Sequence, residues 1–268
     1  MFYFAISRHV RGLEKRLDVQ LFKIAQRGVL LTDVGRRYAA QITPLLDQIA
    51  LATEQVTEKP KGLITLSVEP TIAQKWLVPR LGDFYEKYPD VEIVLSSTGE
   101  VVDVAAHAVD MALRYCAEKT DVTGFDQVSD RPFYPYAAPG LVPGDSGAPE
   151  VLAGEWLIGD YISELWPMWF AAAGLSPVPR LKLTTPMQTL LTIEYAVARQ
   201  GVLLLSSELV TKEVGEGKLV QLSQVGVRCG GYYLVTNATA RRRKAVLALR
   251  NWILDQSVGL RGDDGQRL

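Results

Sequence analysis

The sequence predicts an α/β protein in which a small helix-and-hairpin unit and one long helix precede a larger α/β domain. Up to about residue 57, apolar residues recur at helical spacing, interrupted once by a hairpin pattern. After about residue 60, short apolar runs alternate with helical stretches. A chain of 268 residues with 48% hydrophobic and 22% charged content is typical of a globular protein with two domains.

The first predicted helix combines an apolar stripe with a basic face. The stripe consists of residues at helical spacing: Ile6, Val10, Leu13 and Leu17. The other face consists of hydrogen-bond donors: Ser7, Arg8, Arg11 and Lys15. Such a face suits phosphates and base edges in a major groove, although an ordinary solvated helix has the same spacing of charge.

A hairpin pattern follows this helix. Two short apolar pieces, Leu21-Phe22 and 29–31, flank a turn that contains Gly28, and they predict a hairpin with Arg27 at its tip. Thr32 is the predicted N-cap of the next helix.

The next predicted helix runs to about Thr57 on a long apolar stripe. Such a helix spans roughly 35 to 40 Å at 1.5 Å per residue, so we expect a partner chain to cover its apolar side. Pro44 removes one backbone donor and is expected to bend the axis.

The amino-terminal region resembles the second half of the winged helix-turn-helix of LysR-type transcriptional regulators. The matching residues occur in the family's order and spacing: Ser7, Arg8, Leu13, Glu14, Leu21, Phe22, Arg27, Leu31, Thr32 and Gly35. Downstream, the segments GLITLSVEPTIAQKWLVPRLGDFYEKYPDVEI, VDMALRY, WPMWFAAAGL and GYYLV resemble the family's effector-binding half. Within the family, the resemblance is to the subgroup of the glycine-cleavage activator and the beta-lactamase regulator, and it covers roughly residues 5 to 257.

The resemblance also implies a difference at the front of the chain. Family members carry about thirty more residues there, which form the helices that support the recognition helix. We therefore expect either a start assigned downstream of the true one or a truncated gene. The expectation is that the 268-residue chain binds operator DNA weakly or not at all.

The resemblance implies four segments. They are a partial winged helix-turn-helix at 1–32, a linker and dimerisation helix at 33–58, an effector-binding domain at 59–257 and a disordered tail at 258–268. The effector-binding domain has the two-lobed, periplasmic-binding-protein-like (type 2) form. Its lobe I covers about 61–132 and 232–257, and its lobe II covers about 133–231.

The alternation after residue 60 predicts specific elements. Strands are predicted at 63–68, 91–95 and 109–115, with an amphipathic helix at 71–88, which indicates a parallel sheet covered by helices. A second set begins near Tyr134, with strands at 156–158, 181–183 and 202–205 and a helix at 187–199. The strand 232–236 and the helix 241–255 then return to the first lobe, as the resemblance implies.

A cleft between the lobes is the expected effector site, because helix N-termini at the carboxyl ends of strands favour polar or anionic ligands. The predicted effector contacts are Thr71, Ile72, Thr98, Thr185 and Tyr232. For the hydroxyl residues, simple N-capping is an equally good explanation. A carboxylate of Glu69 at the mouth of the cleft would repel an anion and select an amine or an amino acid, but the sequence leaves the direction of this side chain open.

Several residues have both a functional and a structural interpretation. The aromatic set Trp166, Trp169 and Phe170 either lines lobe II or forms its core, and core is the more common role. His107, flanked by Asp103 and Asp110, is the only histidine outside the first helix, which makes a catalytic or metal-binding role a minor alternative. Neither a metal site nor a cofactor is predicted.

Charge and cysteine content limit the partners and the compartment. Residues 1–38 contain eight Lys and Arg against three acidic residues, so they carry +5 of a total net charge of −1, and the rest carries −6. Cys116 and Cys229 are isolated, no apolar run approaches the ~20 residues of a membrane span, and no signal peptide is recognised. We expect a cytoplasmic protein with no membrane partner.

The resemblance implies a mechanism and its partners. A homodimer or homotetramer binds double-stranded operator DNA, and a small-molecule effector closes the lobes and changes DNA bending and contact with RNA polymerase. Two alternatives share the two-lobed fold: a solute-binding protein, which needs a signal peptide, and an enzyme, which needs a catalytic group in the cleft. The sequence favours the regulator, which is not an enzyme.

Overall fold

The computed structural model describes residues 2–25, 28–55, 60–100, 109–117, 125–159, 161–162, 164–237 and 239–262. The chain divides into two compact units, Met1–Lys59 and Pro60–Leu268. Within the described ranges, no helix has both the length and the apolar character that crossing a membrane requires.

The first unit contains a helix, a hairpin and a second helix, as predicted. Its elements are α1 (Phe2–Leu17), β1 (Phe22–Ala25), β2 (Gly28–Leu31) and α2 (Asp33–Gln55). The strands are antiparallel, with Ala25 paired to Gly28, so Gly28 begins β2 and does not occupy the turn. Gln26 and Arg27, which connect the strands, lie outside the described residues.

Three residues of the amino-terminal motif connect the hairpin to the helices. The Glu14 carboxylate accepts hydrogen bonds from the backbone N–H groups of Leu21 (2.8 Å) and Phe22 (3.0 Å), at the start of β1. The Thr32 hydroxyl accepts from the N–H of Gly35 at 2.9 Å, which confirms Thr32 as the N-cap of α2. A Cβ at Gly35 would lie 2.0 Å from the Leu21 carbonyl oxygen, so only glycine allows this approach. Contacts with the backbone therefore explain these three positions of the motif.

The helix α2 continues through Pro44 and ends at Gln55. Its described side chains include exposed apolar residues in one stripe: Val34, Leu45, Leu46 and Ile49. The missing donor of Pro44 therefore does not end the helix, as the sequence predicted.

The second unit consists of two lobes, each built on its own sheet. Its strands are β3 (Gly62–Val68), β4 (Val91–Ser97), β5 (Met111–Cys116), β6 (Phe125–Ser129), β7 (Phe133–Ala137), β8 (Trp156–Leu157), β9 (Lys182–Leu183), β10 (Leu203–Ser206), β11 (Val220–Gln221) and β12 (Gly231–Thr236). Its α-helices are α3 (Pro70–Ile72), α4 (Leu81–Lys87), α5 (Pro149–Leu152), α6 (Leu165–Ala172), α7 (Thr189–Val197), α8 (Thr211–Gly215) and α9 (Lys244–Gln256).

The sheet of the first lobe has the order β4-β3-β5-β12-β6. β3 pairs in parallel with β4 and β5, but β12 is antiparallel to both β5 and β6. The parallel pairing predicted for the strands 63–68, 91–95 and 109–115 is therefore confirmed, and β12 makes the complete sheet mixed. The chain reaches β12 from the second lobe and enters the sheet from the other end, which reverses its direction.

The predicted helix 71–88 is divided into short segments. After α3, residues Ala73–Leu77 form a π-helical turn and Val78–Arg80 a 3-10 turn, before α4 begins at Leu81. Pro79 lacks the amide hydrogen that an α-helix needs at this point, which accounts for the break. The helix α9 packs nearby, with the Trp252 Nε1–H donating to the Asp83 carboxylate at 3.0 Å.

The second lobe contains an antiparallel sheet of order β10-β7-β11 and the parallel pair β8-β9. The aromatic set of α6 forms its core. Trp166, Trp169 and Phe170 are all buried, and Trp169 packs edge-on against both of the others. The indole N–H groups of the two tryptophans donate to backbone carbonyls. The core interpretation of this set is therefore confirmed.

Candidate binding cleft

A cleft of about 280 Å³ lies between the two lobes. The first lobe lines it with Glu69, Pro70, Thr71, Gly99, Tyr115 and Tyr232. The second lobe lines it with Phe133, Tyr161, Ile162, Gln188, Thr189, Leu190, Leu205 and Leu209. Most of these side chains are aromatic or aliphatic, with a few polar groups, which is the usual composition of a small-molecule site.

Glu69 lies at the carboxyl end of β3 and caps the helical segment that follows. Its Oε1 accepts hydrogen bonds from the Thr71 N–H (3.0 Å) and the Thr71 hydroxyl (2.9 Å), and its Oε2 accepts from the Ile72 N–H at 3.1 Å. A carboxylate at this position compensates the positive end of the helix. The open question about its direction is thereby answered, because the carboxylate faces its own helix N-terminus.

Tyr232, on β12, joins this carboxylate from the neighbouring strand. Its hydroxyl donates to Glu69 Oε2 at 3.3 Å, and its ring packs edge-on against Tyr115 at 5.5 Å. Burial, and then the negative charges of Glu69 and Glu208, raise the pKa of Tyr232 well above its ordinary value of 10.0. Tyr232 therefore stays a neutral hydroxyl at physiological pH.

A second carboxyl group lies close behind the cleft lining. Glu208, in the helical turn Ser207–Leu209, is buried and accepts a hydrogen bond from the Ser129 hydroxyl at 2.6 Å. Burial raises the pKa of Glu208 above its ordinary value of 4.5, although the hydrogen bond from Ser129 opposes this shift. Ser129 ends β6 in the first lobe, so this bond connects the two lobes.

An ion pair also connects the lobes. Lys75, in the π-helical turn, lies 2.6 Å from Glu213 Oε1 on α8, and their side chains are only 10% and 8% exposed. The other carboxylate oxygen of Glu213 is buried and has no hydrogen-bond partner among the described residues. This buried pair therefore depends strongly on both partners being present.

The N-terminus of α7 forms part of the opposite wall. Gln188, its N-cap, makes no capping hydrogen bond through its side chain, and Gln188, Thr189 and Leu190 all line the cleft. The first backbone N–H groups of a helix lack intrahelical partners. This wall therefore offers donors to a bound molecule.

Comparison with known proteins decides the family. A model of the LysR substrate binding domain matches residues 57–257, which is most of the chain. The chain belongs to the LysR-type transcriptional regulators.

Relatives of this regulator carry names that agree with the family. It is 29% identical over 257 residues to the HTH-type transcriptional activator AmpR of Pseudomonas aeruginosa, a match that covers 95% of this chain and 86% of that protein. It is 28% identical over 258 residues to the glycine cleavage system transcriptional activator of Escherichia coli K12, covering 95% and 85% of the two chains. These relatives are named as activators of transcription and not as enzymes.

Solved structures agree with the two-lobed fold of this regulator. The effector domain of AmpR from Pseudomonas aeruginosa matches with a TM-score of 0.64 and 26% identity, over 74% of this chain and 96% of that chain. CrgA from Neisseria meningitidis, a LysR-type regulator, matches with a TM-score of 0.65 and 23% identity, over 95% and 89% of the two chains. The second likeness supports the fold alone.

The structure brings together two of the five predicted effector contacts. Thr71 and Tyr232 line the cleft, whereas Ile72 is fully buried beneath the capped turn. Thr98 and Thr185 are outside the lining: the Thr98 hydroxyl accepts from the Glu100 N–H at 3.1 Å, and the Thr185 side chain is exposed. A binding role for these five residues stays a prediction.

Sequence reasoning missed Gln188 and Thr189, which occupy the wall where Thr185 was expected. The helix was predicted to begin near Met187, but α7 begins at Thr189, so the lining residues lie later in the chain. The Thr184 hydroxyl instead accepts from the Gly159 N–H at 3.0 Å. A hydroxyl residue at the true helix start was the available signal, and it was assigned to the wrong threonine.

The predicted DNA contacts are only partly described. Arg11 and Lys15 are exposed on α1. Ser7 and Arg8 lie within α1, but their side chains, and the whole of Arg27, are outside the described residues. A role of these five residues in DNA binding stays a prediction.

The alternative sites of the body can be located as far as they are described. Asp103 and His107 lie outside the described residues, and the Asp110 carboxylate pairs with Arg243 at 2.6 Å. Among the residues that the structure describes, no group of three or more His, Cys, Asp and Glu is arranged to hold a metal ion. Cys116 and Cys229 are both free thiols.

Proposed function

We propose that this regulator senses a small molecule in the cleft between its lobes and transmits that signal to double-stranded operator DNA. The cleft between the lobes carries this proposal. It lies between two lobes whose contacts include the Ser129–Glu208 hydrogen bond and the Lys75–Glu213 ion pair, so a molecule bound there contacts both lobes and shifts their relative position. Contacts from Thr71, Tyr232 and the N-terminus of α7 supply the polar recognition.

In this proposal, the basic face of α1 and the hairpin together form the DNA-reading surface. This partial winged helix-turn-helix presents Ser7, Arg8, Arg11 and Lys15 from α1 and Arg27 from the hairpin tip. The exposure of Arg11 and Lys15 supports it, because phosphate contacts require accessible cations. Binding to operator DNA assigns the protein to the cytoplasm.

In this proposal, α2 is the linker and dimerisation helix. It pairs two copies of the chain into a homodimer, and two such dimers form a tetramer. Apolar side chains in one stripe of α2, including Leu45 and Leu46, are exposed within the chain and become covered when a second copy packs against them. Movement of the lobes then changes the spacing of the two DNA readers and their contact with RNA polymerase.

Salt-dependent binding tests the DNA-reading surface. A binding sequence is selected from a random pool of double-stranded DNA, and the dissociation constant is measured by fluorescence anisotropy at 50 to 200 mM salt. Arg11→Ala and Lys15→Ala should each weaken binding and lower the salt slope by about one unit. Lys212→Ala is the matched control, because Lys212 is also an exposed cation but lies on α8.

If Arg11→Ala and Lys212→Ala changed the dissociation constant equally, α1 would not be part of the DNA interface. The dissociation constant of the unaltered chain in the same titration also tests the expectation that it binds operator DNA weakly or not at all.

A further inference from the structure

The lining of the cleft indicates which chemical class of molecule it accepts. Four aromatic side chains, four leucine or isoleucine side chains and one proline surround the space. The polar groups of the lining are three tyrosine hydroxyls and the side chains of Glu69, Thr71, Gln188 and Thr189. None of the lining residues in the described part of the chain is a lysine, arginine or histidine. A site of this kind binds mainly through apolar contact and stacking.

The charges that act on the Tyr232 hydroxyl are negative, and Arg114 interacts electrostatically with one of them, Glu69. Glu69 lines the cleft and Glu208 lies behind it, and both act electrostatically on the Tyr232 hydroxyl. An anion in this space would lose its hydration while facing a carboxylate, which is unfavourable without a cationic partner. The cleft therefore disfavours carboxylates and phosphates.

Two cations near the cleft, Arg114 and Lys75, have partners outside its lining. Arg114 is the neighbour of Tyr115 on β5 and therefore lies on the opposite face of the sheet. Its guanidinium donates to the Ser67 hydroxyl at 2.6 Å and to the Leu113 carbonyl at 3.0 Å. Lys75 pairs with Glu213. Neither of these two side chains is among the described lining residues.

Among the described lining residues, those at the N-terminus of α7 favour negative charge. A helix N-terminus carries roughly half a positive charge. This is smaller than the full charge of the Glu69 carboxylate, so the N–H groups of Thr189 and Leu190 suit a hydroxyl or another neutral acceptor better than an anion.

The volume limits the size of the molecule. An apolar cavity of about 150 Å³ holds one benzene molecule. The cleft, at about 280 Å³, is roughly twice as large, so it accommodates two fused rings or one ring with a short side chain.

We propose that the cleft binds a compact aromatic molecule that carries a hydroxyl or amino group and no negative charge. The ring lies among the aromatic side chains of the first lobe and the leucines of the second. This inference rests on the proposed function of the cleft as the effector site and adds the chemical class of the effector.

Three probes with one indole ring and different side-chain charge test the proposal: tryptophol (neutral), tryptamine (cationic) and indole-3-acetate (anionic). Their dissociation constants for the full chain are measured by isothermal titration calorimetry. Tryptophol and tryptamine should bind at least tenfold more tightly than indole-3-acetate.

Adding a cation to the lining should reverse this preference. Leu190→Lys should strengthen the binding of indole-3-acetate at least tenfold and weaken that of tryptamine. Leu191→Lys is the matched control, because Leu191 is the next residue of α7, is exposed and lies outside the lining. It should leave the ratio of the dissociation constants unchanged, and circular dichroism checks that both variants fold.

Each contrary outcome has a distinct meaning. Equal binding of indole-3-acetate and tryptophol would overturn the charge preference, and absence of binding by all three probes would overturn the aromatic class. A different result would contradict the proposed function of the cleft. The larger side chain of Thr189→Trp fills the cleft, so probes that bound this variant as tightly as the unaltered chain would be binding elsewhere.

Discussion

Replacing Lys75 by methionine should strongly destabilise the two-lobed unit. Methionine keeps most of the apolar length of lysine but removes its charge, so Glu213 is left as a buried carboxylate. One of its oxygens already lacks a hydrogen-bond partner among the described residues, and the other loses its partner at 2.6 Å. Breaking a buried pair in this way costs about 3 to 5 kcal/mol.

The stability loss is large enough to measure by unfolding. Urea titration of the full chain, followed by tryptophan fluorescence, gives the change in the free energy of unfolding. In a thermal scan, roughly 3 kcal/mol corresponds to a midpoint lowered by about 6 to 12 °C for a unit of this size.

Two controls separate the pair from general effects of the substitution. The double variant Lys75→Met with Glu213→Leu removes both charges and should recover most of the lost stability, because no unpaired charge remains. Lys218→Met breaks an ion pair of similar length, 2.7 Å, but Lys218 and Glu216 are exposed to solvent, so the unfolding midpoint should not change. The reasoning is refuted if Lys75→Met costs less than about 1 kcal/mol, or if the double variant is less stable than the single one.

Three further outcomes are expected. Gly35→Ala should destabilise the first unit by about 2 kcal/mol, because its Cβ would clash with the Leu21 carbonyl; faster hydrogen exchange of the hairpin amides would show this, and unchanged exchange would contradict it. Leu45→Glu on the apolar stripe of α2 should dissociate the oligomer in sedimentation velocity, whereas Ala40→Glu on the opposite face should not; equal sedimentation would remove α2 from the interface. Glu208 holds its proton more tightly in the folded chain than in the unfolded chain, so its contribution to stability falls as pH rises from about 4.5 through its raised pKa. As the pH rises above 4.5, the unfolding midpoint of Glu208→Gln should therefore rise relative to that of the unaltered chain. A difference between the two midpoints that does not change with pH would argue against the raised pKa.

The features that were predicted correctly from the sequence depend on neighbouring residues. The Thr32 cap is an example, since its hydroxyl contacts an N–H only three residues away. The hairpin and the helices around it follow from short-range periodicity in the same way. The core role of Trp166, Trp169 and Phe170 follows from their size and their spacing on one helix.

The features that were missed depend on contacts between distant residues. β12 is antiparallel to β5 and β6 because the chain passes through the second lobe before it pairs with them. The local sequence pattern does not show this path of the chain. The lining residues of α7 were missed by a few positions, since propensity defines a helix start poorly and a shift of that size changes which side chain faces the cleft.

The sequence by itself determined the family, the α/β class and the basic character of the amino-terminal unit, because these properties lie in local pattern and composition. The tertiary structure decided the chemistry of the cleft. The Glu69 carboxylate is held by a tyrosine 163 residues away, and Lys75 is paired with a glutamate 138 residues away. Whether a charge faces a ligand, a helix or a counter-ion depends on which distant groups the fold brings within hydrogen-bond distance.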